Sequence, residues 1–277
     1  TAQMSTKVMK PSEVELKKIE ISKLKKMPSG AKISYINYGS LDEDGVVSLQ
    51  LQSPHMAMTF DAKYYPDEQG GKYDCRVSLN GESGDMLAFI EMMRNMDELI
   101  KVIAKKNSKE WFGKASISDE ILNEKYVSIV RDYKDPETGE KTGKYAPTFG
   151  FKIKHNKEKQ YLCKFFDENK CKINVNDENG DNFKSVEGIL KKGTSMRMIL
   201  KCTGLWFSPQ GFGCSWKPLQ MKVRVPIMMD EYAFDSSEDE DDEDDDVGSE
   251  LAIESSDDDD DESEEEIVVK KKKRGKK

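Results

Sequence analysis

Apolar and polar side chains alternate with a period of two along much of the chain, and that period predicts strands. Residues 33–38 read Ile-Ser-Tyr-Ile-Asn-Tyr, rich in β-branched and aromatic types. Val47, Leu49 and Leu51 mark a second strand, with Asp42-Glu43-Asp44-Gly45 as the hairpin turn before it. Pro54 closes that region; Met56, Met58 and Phe60 alternate next, then Tyr73, Cys75, Val77 and Leu79, ending at Asn80-Gly81. Further strands are predicted over 126–130, 149–153, 161–166, 171–175, 196–207 and 215–225. Asn179-Gly180 and Lys192-Gly193 mark turns, and the polar stretch 135–144 reads as a mobile hairpin tip.

The period changes once. Met86, Phe89, Ile90, Met93, Met96, Ile100 and Ile103 recur every three to four residues, the stripe of an amphipathic helix. Ser83 or Asp85 can cap its start, and Lys101, Lys105 and Lys106 suit its C-terminal dipole. A shorter helix is predicted over 119–124. Many strands around one principal helix predict a mainly β fold, an OB-like Greek-key barrel with a helical insertion at about 83–106. A β-sandwich would give a similar pattern, and whether the helix packs on its own barrel or in a homodimer stays open.

Charge changes the picture more than composition does. The chain has 277 residues, of which 35% are charged and 36% hydrophobic, so part of it is not expected to fold. From Asp235 to Lys277 there are 21 acids and 7 bases, while the rest holds 37 bases and 32 acids. Three regions follow: a lysine-rich arm over 1–29, a domain over 30–229, and an acidic tail over 230–277 expected to be disordered. In the arm, Val14, Leu16, Ile19, Ile21 and Leu24 fit a strand or a short amphipathic helix. In the tail, Ser236, Ser237, Ser255 and Ser256 precede acidic runs and are phosphorylation candidates. Lys270, Lys271, Lys272, Lys273 and Arg274 form a nuclear-localisation candidate; the same run also fits a nucleic-acid contact or a solubilising end. A mildly basic body joined to a polyanion points to a partner that is itself a polyanion, with the tail as its competitor.

Several classes are set aside. No apolar run approaches the length of a membrane-spanning helix. No apolar leader opens the sequence and five scattered cysteines are odd in number, giving the expectation of reduced thiols in a cytoplasmic or nuclear setting. Phosphate-cradling glycine loops, nucleophile elbows and zinc-protease signatures are absent, so neither an enzyme nor a cofactor is expected. The cysteines lack the close pairing of structural zinc sites; Cys75, Cys163 and Cys202 read as small buried apolar residues.

Aromatic and basic residues interleave in the later strands. Single-stranded nucleic acid needs flat rings for its bases and a cationic groove for its phosphates. Trp206, Phe207, Phe212 and Trp216, with Phe149 and Phe151, are the stacking candidates. Lys152, Lys154, Lys201, Lys217, Lys222 and Arg224 are the phosphate candidates. Lys152 and Lys154 share one face of their strand, and Phe149, Phe151 and Ile153 share the other. The segment 202–223 reads as a strand, a tight Ser208-Pro209-Gln210-Gly211 turn and a returning strand that could pair Trp206 with Trp216. Gly211 and Gly213 bracket Phe212 and permit close backbone approach.

This hairpin, with the apolar strand, proline and methionine-rich run of residues 49–62, resembles the single-stranded-DNA-binding proteins of large eukaryotic DNA viruses, relatives of the podophage type. The resemblance spans roughly residues 30–225. It implies an OB-fold that binds single strands without sequence preference in viral replication, recombination or repair. It also implies an acidic tail that occupies the DNA groove and recruits replication proteins, in a host nucleus or a cytoplasmic virus factory. The KKKKRGKK ending departs from the family's acidic terminus. A second class fits the tail as well: a histone chaperone or chromatin-associated protein that captures basic partners with its acids. The two differ in which half of the chain binds.

Overall fold

The computed structural model describes residues 8–28, 30–39, 48–67 and 70–226. Those residues form a mainly β fold around one long helix. The hairpin turn expected at 42–45, the acidic tail, the four serines and the Lys270–Arg274 run lie outside the described residues.

The helix runs Gly84–Lys106. Ser83 caps it, its Oγ accepting from the Met86 amide at 3.3 Å. Met86, Phe89, Met93, Met96 and Ile100 are buried along one side, as the stripe requires. Short helices follow at Ser108–Phe112 and Asp119–Lys125.

The main sheet closes on itself. Val130–Arg131 pairs antiparallel with Thr148–His155, and that strand with Gly70–Ser78. Gly70–Ser78 pairs with Met56–Met58, which pairs with Ser195–Phe207. Ser195–Phe207 forms a long hairpin with Phe212–Arg224. Phe212 and Gly213 then pair in parallel with Tyr126 and Val127, three residues before the ladder's first strand. The ring of strands is thereby completed through the corner Ser128-Ile129. Two glycines make this possible. A Cβ on Gly211 would sit 2.5 Å from the Lys125 carbonyl oxygen, and one on Gly213 3.0 Å from that of Val127.

The corner is held by a residue the apolar stripe hides. Asp97 is 5% exposed on the long helix. Its carboxylate accepts from the Tyr126 hydroxyl at 2.6 Å and from the amides of Ile129 and Val130 at 2.8 and 3.4 Å. Burial raises its pKa, and these three hydrogen bonds oppose the rise. Helix, corner and closing strand are thus tied by one side chain.

Residues from the expected arm are built into the sheets. Ile19–Ile21 pairs with Ile36–Tyr38, and Lys25–Lys26 with Lys32–Ser34. Met9 and Ile19 are buried in the core. The single strand expected over 33–38 is therefore split in two, because its halves serve different partners. Phe149 sits at the centre of the core, with Phe89 edge-on at 5.5 Å between ring centroids.

Candidate nucleic-acid interface

Alternation places one row of side chains of Thr148–His155 in the core and the other outside. Phe149, Phe151 and Ile153 point in and are buried, while Lys152 and Lys154 are exposed. Register brings Lys154 opposite Lys72, Lys152 opposite Asp74, and Gly150 opposite Arg76. The hairpin strand Lys63–Asp67 extends the rows, with Tyr65 opposite Lys72 and Lys63 opposite Asp74. On the long hairpin, Lys201 lies opposite Lys217 and Arg197 opposite Lys222. Three cross-strand pairs of like charge thus face one another, an arrangement that costs stability unless an anion lies across them.

Between Thr148–His155 and the returning strand Phe212–Arg224 opens a cleft of about 620 Å³. Its walls carry Lys72, Arg131, Lys152, Lys154 and Lys217 against one acid, Asp74. Lys152 lies 3.7 Å from Asp74; the other four cations form no ion pair among the described residues. Desolvation, and then its neighbour Arg76, lowers the pKa of Arg131. Val127, Ser128 and Ile129, the corner fixed by Asp97, form another wall. Leu162, 88% exposed, stands at the cleft.

Trp206 is the partly exposed aromatic ring of this cleft. It lies across from Gly213, where an added Cβ would press on the indole at 3.1 Å. The indole therefore packs against a bare backbone position while remaining partly exposed to the cleft. Trp216 also lines the cleft but is 4% exposed. Burial pushes the Cys163 thiol up to about 12, and raises Cys214 too, so both stay neutral in the cleft wall. Among the described residues no three His, Cys, Asp or Glu side chains gather as a metal site.

The structure unites six of the twelve sequence-derived candidates in the cleft: Phe151, Lys152, Lys154, Trp206, Trp216 and Lys217. Several stacking assignments are corrected. Phe149, Phe151 and Phe212 are at most 2% exposed and present no ring to a base, because they lie on the inward row of their strands. Phe207 and Phe212 stack on each other at 5.8 Å and pack with Trp111 of the short helix. Trp206 and Trp216 are not partners across the hairpin. Trp206 faces Gly213 and Trp216 faces Cys202, on opposite sides of the sheet, with a bulge between Cys202 and Gly204. Lys201 is half-buried opposite Lys217. Lys222 lines a second cavity of about 330 Å³, and Arg224 pairs with Glu168 at 3.6 Å.

Sequence reasoning missed Lys72, Arg76, Arg131 and Tyr65. Tyr65 is 45% exposed on the row of Lys72 and Lys154. Their period-two placement was visible; their shared surface depends on strand register.

Fold and cleft define a β-barrel protein with a cationic, aromatic-bearing surface groove. The chain belongs to DUF5871, a family of unknown function, whose model matches residues 81–236. No curated protein matches it in sequence. Solved structures similar to it include gp2.5, a single-stranded DNA binding protein encoded by bacteriophage T7, at 12% identity and a TM-score of 0.41, covering 73% of this chain and 100% of that one. Another is the single-stranded DNA-binding protein from bacteriophage Enc34 in complex with ssDNA, at 12% identity and a TM-score of 0.35, covering 76% and 97%.

Proposed function

We propose that this chain binds single-stranded DNA without sequence preference and without catalysis. The observation that carries the reading is the cleft itself: four cations that form no ion pair among the described residues, beside a partly exposed tryptophan packed against a glycine. Phosphates relieve the facing like charges, and a base stacks on Trp206. Duplex DNA offers the phosphates but keeps its bases stacked inside, so the tryptophan favours the single strand.

On this reading Trp206→Ala weakens binding of an oligothymidylate by about 1–3 kcal/mol, while Trp206→Phe retains most of it. Fluorescence anisotropy of a labelled oligomer measures both. Equal affinity of all three chains contradicts stacking at Trp206.

The same reading assigns the chain to replication, recombination or repair of viral DNA, with residues 235–277 competing for the cleft and engaging replication proteins once displaced. Removing those residues deletes 21 acids and is expected to tighten single-strand binding several-fold at low salt. Weaker binding on truncation, together with capture of histones by the full chain alone, favours the chaperone class instead.

A further inference from the structure

The long hairpin carries a second cluster at its opposite end. Strand Lys164–Phe166 runs parallel to the returning strand, with Phe165 beside Met221 and Phe166 beside Lys222. Phe165 and Met221 are buried, which turns Phe166 and Lys222 to the outer face. Arg197 lies directly opposite Lys222. Gln52, Phe166, Lys170, Arg197, Gln220 and Lys222 line the second cavity. Like the cleft it holds a partly exposed ring and facing like charges, and it adds two amide side chains, Gln52 and Gln220.

Three observations mark it as an anion site. The Nε of Arg197 is buried with no hydrogen-bond partner among the described residues. The acid nearest the guanidinium is Asp85, at 3.7 Å from Nη2, too far for a well-formed bidentate pair. The pKa of His55 is lowered first by burial and then by the fields of Arg197 and Lys222, against the opposing pull of Glu168. Lysine and arginine held face to face with a guanidinium nitrogen left bare is a costly arrangement in the empty protein.

The two sites are joined. Lys201 and Lys217 face each other between them on the outer side of the same hairpin. From Trp206 to Arg197 the strand covers about 30 Å at its usual rise. We propose that Phe166, Lys170, Arg197 and Lys222 form a second subsite for the same single strand, taking one base on Phe166 and the adjoining phosphates on the three cations. The strand then lies along the long hairpin from Trp206 to Phe166. This rests on the cleft reading and extends it to a path and a length.

The test uses oligothymidylates of about 4 and about 16 nucleotides, the two ends of the range for such folds. The full chain is compared with Lys170→Gln/Lys222→Gln and with Phe166→Leu, which keeps the cavity filled, and Phe166→Tyr, which keeps a ring. The short oligomer is expected to bind all chains alike, since the cleft alone holds it. The long oligomer is expected to lose about tenfold or more with the double lysine variant, with a salt slope shallower by about 1.4. It is expected to lose binding with Phe166→Leu and recover it with Phe166→Tyr. Equal loss for both lengths, or none for either, overturns the subsite. Failure of the unaltered chain to bind either length overturns the cleft reading, and the subsite with it.

Discussion

Neutralising three cleft cations together, Arg131→Gln, Lys154→Gln and Lys217→Gln, is expected to weaken oligothymidylate binding about 100-fold at 0.1 M salt. Each phosphate neutralised on a single strand contributes about 0.7 to the slope of log affinity against log salt. Three lost contacts therefore remove about 2.1 from that slope, and the variant and the unaltered chain converge near 1 M. None of the three side chains forms an ion pair among the described residues, and Lys154 and Lys217 are each held opposite another lysine. Their removal relieves repulsion, so the folded state is expected to keep or gain stability while binding falls. Urea unfolding checks the first statement and anisotropy the second. A variant that loses stability and binding together contradicts the assignment of these residues to a ligand.

Replacing Asp97 by alanine is expected to act in the opposite sense, on stability first. The Tyr126 hydroxyl and the Ile129 amide lose their acceptor inside the protein, at about 1–3 kcal/mol for each orphaned donor, and the weaker Val130 contact goes too. The expected total is about 3–5 kcal/mol. Asp97→Asn keeps one acceptor oxygen and is expected to lose less. Because the corner Ser128-Ile129 is both the closure of the barrel and a wall of the cleft, the alanine chain that remains folded is also expected to bind oligomers more weakly. Protection of the Ile129 and Val130 amides from hydrogen exchange reports the corner directly. Unchanged protection in the alanine variant contradicts the role given to Asp97.

Most elements were legible because their period was regular. The stripe from Met86 to Ile103 became the helix Gly84–Lys106, and the alternation around Phe149 became Thr148–His155. Pairing was less legible. Closure depends on the parallel contact of Phe212 and Gly213 with Tyr126 and Val127, made by residues far apart in sequence. Alternation shows which side chains share a face, not which face is the core. With Lys152 and Lys154 outside, Phe149 and Phe151 had to be inside, so the same pattern that offered them as stacking rings also argued against it. The tight turn between Phe207 and Phe212 sets Trp206 opposite Gly213, three positions short of Trp216, and the bulge at Cys202 and Gly204 only moves Trp216 on to Cys202. Asp97 went unread because a single carboxylate in an apolar stripe reveals nothing of its partners. Arg131 and Lys72 went unread because only register carries them to the cleft.

The most direct measurement is a titration of intrinsic tryptophan fluorescence with an oligothymidylate and with a duplex of equal length, at low and high salt. Trp111 and Trp216 are buried, so Trp206 is the indole exposed to a ligand. Strong quenching by the single strand, little by the duplex, loss of quenching in Trp206→Phe, and a steep fall in affinity with salt are the results expected of a cationic cleft with a stacking tryptophan. Equal quenching by both forms of DNA, or quenching unaffected by Trp206→Phe, contradicts single-strand recognition in that cleft.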